Sequence, residues 1–262
     1  MVLAHISDLH LGLDARTALA VERLCHTLLE ERVEHVLLTG DVTHRGRRSE
    51  LLLFRQIFAP LLRLGRLVLV PGNHDRLGDD LGRELMPEGR VCAERRGDLF
   101  LVRFDSTGPH NRRWLEGHGL LTAQDIEDID RAFAAAPIDA ARVLMLHHHP
   151  LPLPVDHPME RLATRLGWPN AAELKLGQSL LQRLRRRCDL VLHGHRHAAT
   201  EIAPWEDEAG SMRICNAGSS TQLQGCRLFR LRGGRVERDR VWLDAREAFR
   251  PALTRAAARA LP

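Results

Sequence analysis

The 262-residue sequence contains no tyrosine, and phenylalanine and tryptophan together bring aromatics to only 4%. A protein that stacks successive bases needs a row of aromatic faces, so a single-stranded nucleic-acid platform is disfavoured. Lysine is nearly absent as well: Lys175 stands alone, and arginine carries the rest of the positive charge. With 38 Lys and Arg against 34 Asp and Glu, the net charge is a mild +4. The one dense basic run, RLRRR at 183–187, reads as a solvated helix end. No apolar run approaches the roughly 20 residues that a membrane span needs, so no membrane partner is expected. The first residues, MVLAHISDLHLG, have no basic leader and meet an acid at Asp8, which excludes a signal peptide and predicts a cytoplasmic protein. Five cysteines (Cys25, Cys92, Cys188, Cys215, Cys226), odd in number and without C-x-x-C spacing, read as buried thiols rather than disulfides or a zinc ribbon.

What the chain does have is a sizeable apolar share, 44%, enough for one ordinary globular domain. The periodicity predicts a domain over 1–243 and a weakly amphipathic tail over 244–262, packed or frayed. Strands are expected at 2–6, 33–40 and 66–70, with helices at 15–32 and 50–64 between them. That βαβαβ order predicts mainly parallel strands joined by right-handed crossovers. Residues 91–95 and 99–106 read as a hairpin turning at Gly97-Asp98, and 108–119 as loop. Thr122 caps a helix to Ala136, with Asp125 in the capping-box position. A strand at 142–147, a proline-rich loop at 150–170, a helix at 171–187 and a strand at 189–193 follow. The remainder turns to strands at 200–205, 212–215, 226–232 and 235–243.

Fifteen histidines are the other excess, and they cluster: His147, His148 and His149 are consecutive, and His193, His195 and His197 alternate. Each predicted strand of the first half ends in metal-binding side chains: Asp8-Leu9-His10, Gly40-Asp41 and Gly72-Asn73-His74-Asp75. The second half repeats the pattern at His147-His148-His149-Pro150 and at His193-Gly194-His195-Arg196-His197. Ligands gather at the carboxyl ends of strands in α/β sheets. Buried imidazoles without a partner are costly, and a metal removes that cost by taking them neutral. The donors Asp8, His10, Asp41, Asn73, His147, His195 and His197 form a mixed N/O set without thiolate, suited to Mn, Fe or Zn. Seven donors exceed one tetrahedral site but suffice for two metals sharing a carboxylate, the clamp used for in-line displacement at phosphorus.

D-x-H, G-D, G-N-H-D, a histidine run before proline and G-H-x-H, in that order, resemble the calcineurin-like metallophosphoesterases from Val2 to about Leu243. The resemblance implies a four-layer α/β/β/α sandwich of two mixed β-sheets flanked by helices. It implies that Asp8, His10 and His197 hold one metal, that Asn73, His147 and His195 hold the other, and that Asp41 bridges them. His148 is an alternative to His147, because relatives read H-H-P-P where this chain has a third histidine, His149. His74 would face the leaving oxygen, held by Asp75, and His193 would lie behind the ligands. Within the family the chain looks most like the class III cyclic-nucleotide phosphodiesterases, through Leu146-His147-His148-His149-Pro150-Leu151-Pro152 and Asn170-Ala171-Ala172-Glu173-Leu174. Ala217 to Thr221 fits a substrate-side loop of such enzymes.

The expected function is therefore hydrolysis of a small phosphodiester such as cAMP by a hydroxide held between two divalent or mixed-valence transition metals. Alternatives are a phosphomonoesterase, phosphoprotein phosphatase or nucleotide pyrophosphatase of the same family. A nuclease is disfavoured by the mild charge, and a non-catalytic scaffold by the full set of ligand positions. Substrate contacts are expected from His44, Arg45, Asn111, Arg112 and the 150–170 loop.

Overall fold

The computed structural model describes residues 1–152, 172–205, 212–239 and 241–246. The first half runs β1 (Val2–Ile6), α1 (Ala15–Glu30), β2 (His35–Thr39), α2 (Arg48–Ile57), α3 (Ala59–Arg63), β3 (Leu67–Val70), α4 (Gly82–Leu85), β4 (Val91–Arg96), β5 (Leu99–Phe104) and α5 (Ala123–Ala134). The second continues with β6 (Ala141–Met145), α6 (Gly177–Leu184), β7 (Leu190–His193), β8 (Thr200–Ile202), β9 (Arg213–Asn216), β10 (Gly225–Arg232), β11 (Arg235–Val236) and β12 (Val241–Asp244).

The strands form two six-stranded sheets. In one, β1, β2 and β3 lie parallel, β10 pairs antiparallel with β1, and β11 and β12 both pair with β10. In the other, β5, β6, β7 and β9 are parallel, with β4 and β8 antiparallel at the edges. Three apolar layers separate four structural ones. Leu3, Leu37, Val70, Leu101, Val143, Leu192 and Phe229 fill the space between the sheets. Ala4, Ile6, Val36 and Leu38 face α1 and α2 on one outside, and Phe100, Val102, Leu144 and Val191 face α5 and α6 on the other. Alternate residues of one strand thus enter different cores, which is why the central strands read as unbroken apolar runs. This is the α/β/β/α sandwich of two mixed sheets that the motifs imply.

Local signals hold where chemistry is local. Thr122 and Asp125 form the reciprocal cap: Asp125 N donates to Thr122 Oγ1 at 3.1 Å and Thr122 N to Asp125 Oδ2 at 2.9 Å. β4 and β5 pair through the Gly97-Asp98 turn. Two expectations need correction. The single helix over 50–64 is two, α2 and α3, because Pro60 near the start of α3 has no N–H to continue the ladder. The single strand over 235–243 is β11 and β12, which pair with opposite ends of β10. The basic run reads as a helix end: Arg183 and Arg187 both pair with Asp130 of α5, at 3.1 and 2.6 Å. No disulfide links the five cysteines. Among the described residues no helix is long and apolar enough to cross a membrane. Most of the 150–170 loop and of the 244–262 tail lies outside the described residues.

Candidate metal centre

All seven expected ligands follow the carboxyl ends of parallel strands: Asp8 and His10 after β1, Asp41 after β2, Asn73 after β3, His147 after β6, His195 and His197 after β7. The two sheets bring these ends together. His147 Nδ1 donates to Thr39 O at 2.7 Å, tying β6 of one sheet to β2 of the other. His195 N donates to both carboxylate oxygens of Asp8, at 3.2 and 3.1 Å. Eight described residues other than glycine have positive φ, and Asp8, His10, Asp41, His195 and His197 are five of them. Left-handed backbone costs a side-chain-bearing residue about 1–2 kcal/mol, and such strain concentrates at functional sites.

The side-chain atoms sort into two sets. His10 Nε2 lies 3.0 Å from His197 Nε2, and His197 Nε2 lies 3.4 Å from Asp8 Oδ1. Asn73 Oδ1 lies 3.0 Å from both His147 Nε2 and His195 Nδ1. Asp41 faces both: its Oδ2 is 3.7 Å from His10 Nε2 and 3.4 Å from His147 Nε2. His74 N donates to the other oxygen, Asp41 Oδ1, at 2.8 Å and fixes the carboxylate's direction. A carbonyl only accepts, so His147 Nδ1 carries the ring proton and leaves Nε2 as a lone pair aimed at Asp41 whenever the ring is neutral. Lone pairs converging in a buried space repel, and a cation between them relieves the repulsion. The residues therefore fit two divalent cations. His10, His44 and His74 also converge, but this third group shares His10 and has no carboxylate to neutralise a cation.

The triple histidine divides by hydrogen bonding. His148 Nε2 donates to Gly117 O at 2.9 Å and its Nδ1 meets Ser106 Oγ at 2.9 Å, so both nitrogens are engaged and His147 keeps the ring facing Asp41. His149 stacks on His195, with ring centroids 5.8 Å apart. His193 is buried behind the centre.

The expected partner of His74 is wrong. Its Nδ1 donates to His44 O at 2.8 Å, and Asp75 makes no contact with the ring. Asp75 instead accepts from Thr43 N and Oγ1, Val42 N and Gly72 N, at 2.7–3.2 Å. It locks the loop after β2 to the loop after β3, acting through them as a positioning residue. Asn111 is also misplaced as a substrate contact. It is buried, its Oδ1 accepts from Gly108 N, and its Nδ2 donates to Glu116 O and His118 O, so the loop consumes the amide. Arg45 is exposed and Arg112 reaches Asp80 at 3.9 Å. His44 does reach the site, stacked on His74 at 5.6 Å. Within Ala217 to Thr221, Ser219 Oγ donates to Asp8 O at 3.0 Å and Ser220 Oγ accepts from Ser7 N, so these two hydroxyls brace the Asp8 turn.

Two residues were not foreseen. Buried Ser106 accepts from the backbone N–H of both His147 and His148, at 3.2 and 3.1 Å. Trp114 meets His44 and His74 at near right angles, at 5.6 and 5.2 Å. A tryptophan in an aromatic-poor chain, within an irregular loop, was the available signal.

Glycines sit where ligands cross. A Cβ on Gly194 would collide with Ser7 Oγ and Asp8 Oδ2. Gly194→Ala is expected to displace Asp8 and weaken metal binding about 10–100-fold, the scale seen when ligand support is removed. Competition against a metallochromic chelator checks this.

Charge coupling follows the geometry. Burial opposes ionisation of Asp8, but the hydrogen bond and charge of His197 outweigh it and hold the carboxyl at about 2. Burial also opposes protonation of His147, yet the neighbouring Asp41 carries it up to about 9 in the metal-free protein. Asp41 is held well below its ordinary range, burial being outweighed by His147 and His74. Burial pushes His5 and His148 well below their ordinary value and His193 down to about 4. These three stay neutral when folded and charge when unfolded. Their stabilisation is complete above about 6.5 and is lost as pH falls below it, at about 1.4 kcal/mol per pH unit for each. Asp75, raised to about 6 by burial and by Asp41, offsets one of them between 3.8 and about 6. The urea midpoint of the metal-free protein should therefore fall between pH 7 and pH 5; a flat midpoint contradicts neutral burial.

The sequence profile of the family described as Calcineurin-like phosphoesterase matches residues 1–199. The chain is 30% identical over 219 residues to a cAMP/cGMP dual specificity phosphodiesterase of Mycobacterium tuberculosis, covering 76% of this chain and 62% of that protein. It is 30% identical over 171 residues to a glycerophosphodiester phosphodiesterase of Enterobacter lignolyticus, covering 58% of each. The chain thus spans less than two thirds of either relative. A dimetal phosphatase from Danio rerio shares the fold, with a TM-score of 0.63 at 12% identity, over 94% of this chain and 99% of that one.

Proposed function

The chain belongs to the calcineurin-like phosphoesterases, and on that premise we propose that it hydrolyses a small phosphodiester, a cyclic nucleotide foremost. One observation carries the reading: a single buried oxygen, Asp41 Oδ2, lies within 3.7 Å of ring nitrogens from both donor sets. The family's centre is binuclear; here Asp8, His10 and His197 would hold one divalent cation and Asn73, His147 and His195 the other, with Asp41 serving both. Mn, Fe or Zn in those positions would neutralise the phosphate and supply an activated water.

The remaining steps belong to side chains. His74 is fixed by its bond to His44 O, so Nδ1 keeps its proton and Nε2 is the nitrogen turned to the leaving oxygen. It gives up a proton there only from the imidazolium form. Asp75 holds Val42, Thr43 and Gly72, and so keeps Asp41 and His74 in register. Ser106 and Thr39 O orient His147. No serine or cysteine nucleophile is required.

The diester preference is supported by the two relatives, whose printed activities are both phosphodiesterase activities. A panel of cyclic nucleotides, glycerophosphodiesters and phosphomonoesters, run with Mn, Fe and Zn, tests it. Diesters are expected to lead. Monoesters ahead of every diester by a wide margin would overturn the reading.

A further inference from the structure

Trp114 is 54% exposed in a chain that otherwise has few aromatic side chains to show to solvent. It stands at the rim of the centre, against His44 and His74, on the side of the residue assigned to the leaving oxygen. An exposed indole is ordinarily a loose side chain on a loose loop, but this loop is built. Asn111 bonds to Gly108, Glu116 and His118, at 2.6–3.0 Å, from a position 1% exposed. His110 Nε2 donates to His118 O at 2.7 Å, and the two rings stack with centroids 4.0 Å apart. Backbone bonds from Arg113 N to His110 O and from Glu116 N to Arg113 O close the turns on either side of Trp114. The Asn111 amide, expected to meet substrate, is instead bonded across the loop that carries the indole.

We propose that Trp114 is a stacking surface for a planar ring on the substrate, and that Asn111 is the positioning residue that presents it. The proposal rests on the phosphodiesterase reading and adds to it a selectivity. Diesters carrying a nucleobase are preferred over those carrying only glycerol or an alkyl alcohol. The physical basis is that every base has a π-face, and stacking on a preorganised aromatic costs little ordering entropy. His44 flanks the indole with its ring already stacked on His74, while Trp114 keeps about half of its surface open to solvent.

The test compares kcat/KM for 3′,5′-cyclic AMP with that for glycerophosphoethanolamine in metal-loaded wild-type, Trp114→Ala, Trp114→Phe and Asn111→Ala proteins. The ratio is expected to fall roughly tenfold or more in Trp114→Ala, mostly through KM, the scale of base stacking on an aromatic. Trp114→Phe should recover most of the ratio, and Asn111→Ala should lose it as Trp114→Ala does. A ratio unchanged in Trp114→Ala overturns the proposal, as does loss on both substrates alike. Calorimetric titration with AMP supplies a readout free of turnover: wild type should bind more tightly than Trp114→Ala. Equal or equally absent AMP binding in the two overturns the stacking role, whatever the activity shows. Wild-type protein that binds AMP through Trp114 yet hydrolyses no diester overturns the phosphodiesterase reading instead.

Discussion

Asp41→Asn is expected to lower kcat/KM on every phosphoester substrate by about a thousandfold, the rate equivalent of several kcal/mol of lost charge stabilisation. The substitution keeps the side chain's volume and an oxygen for His74 N, which bonds Oδ1 at 2.8 Å. What it removes is the charge on a carboxylate that faces His10 at 3.7 Å and His147 at 3.4 Å. Bound metal should drop below two equivalents. In the metal-free protein the same change should be visible at His147, which Asp41 carries up to about 9 against the effect of burial. Without that partner, burial is opposed only by Asp8 and by the bond to Thr39 O, so the ring should titrate lower than in wild type, and a histidine NMR titration reads the difference. Asp41→Asn protein with two bound metals and near wild-type rates would show that another group serves both positions.

His74→Ala is expected to cost about 10²–10⁴-fold in kcat on substrates with a poor leaving alcohol, the usual range for a lost general acid. On bis-p-nitrophenyl phosphate, whose leaving group needs no proton, the loss should be much smaller. The dependence on leaving group separates proton donation from structural damage. His74 is not among the atoms that face both carboxylates; its ring lies 4.6 Å from that of His10, and its N–H to Asp41 survives in alanine. Metal stoichiometry should therefore stay at two. Equal loss on both leaving groups would place His74 in support of the centre rather than at the leaving oxygen.

The cluster was legible because its proposed ligands come from short strings at strand ends. D-x-H after β1, G-D after β2 and G-N-H-D after β3 can be read locally, since a strand's period and its stop signal are local. The left-handed residues of those strings explain their pattern: a chain must leave the strand sharply for Asp8, Asp41 and His195 to meet. The resemblance put His147 rather than His148 at the centre, and His147 is the ring that faces Asp41, but the residues themselves did not say why. The choice depends on Ser106 and Gly117, which engage His148 from 42 and 31 residues away. Asp75 misled for the same reason. Adjacency to His74 in sequence suggested a pair, but the short turn over His74–Arg76 points its carboxylate at Val42 and Thr43. Asn111 looked like a pocket residue because a polar side chain in an irregular stretch has no periodicity to place it; the backbone groups of its own loop outbid the substrate for its amide. In the fold, the sandwich was implied by motif order, whereas the break between β11 and β12 arises from where β10 offers unpaired backbone, a tertiary property.

The most direct measurement is a titration of Mn(II) into the metal-free protein, following bis-p-nitrophenyl phosphate hydrolysis at each addition. Two donor sets sharing Asp41 predict that two equivalents bind and that activity reaches its plateau only as the second is filled. Full activity at one equivalent, or activity indifferent to metal, would contradict a binuclear centre built from these seven residues.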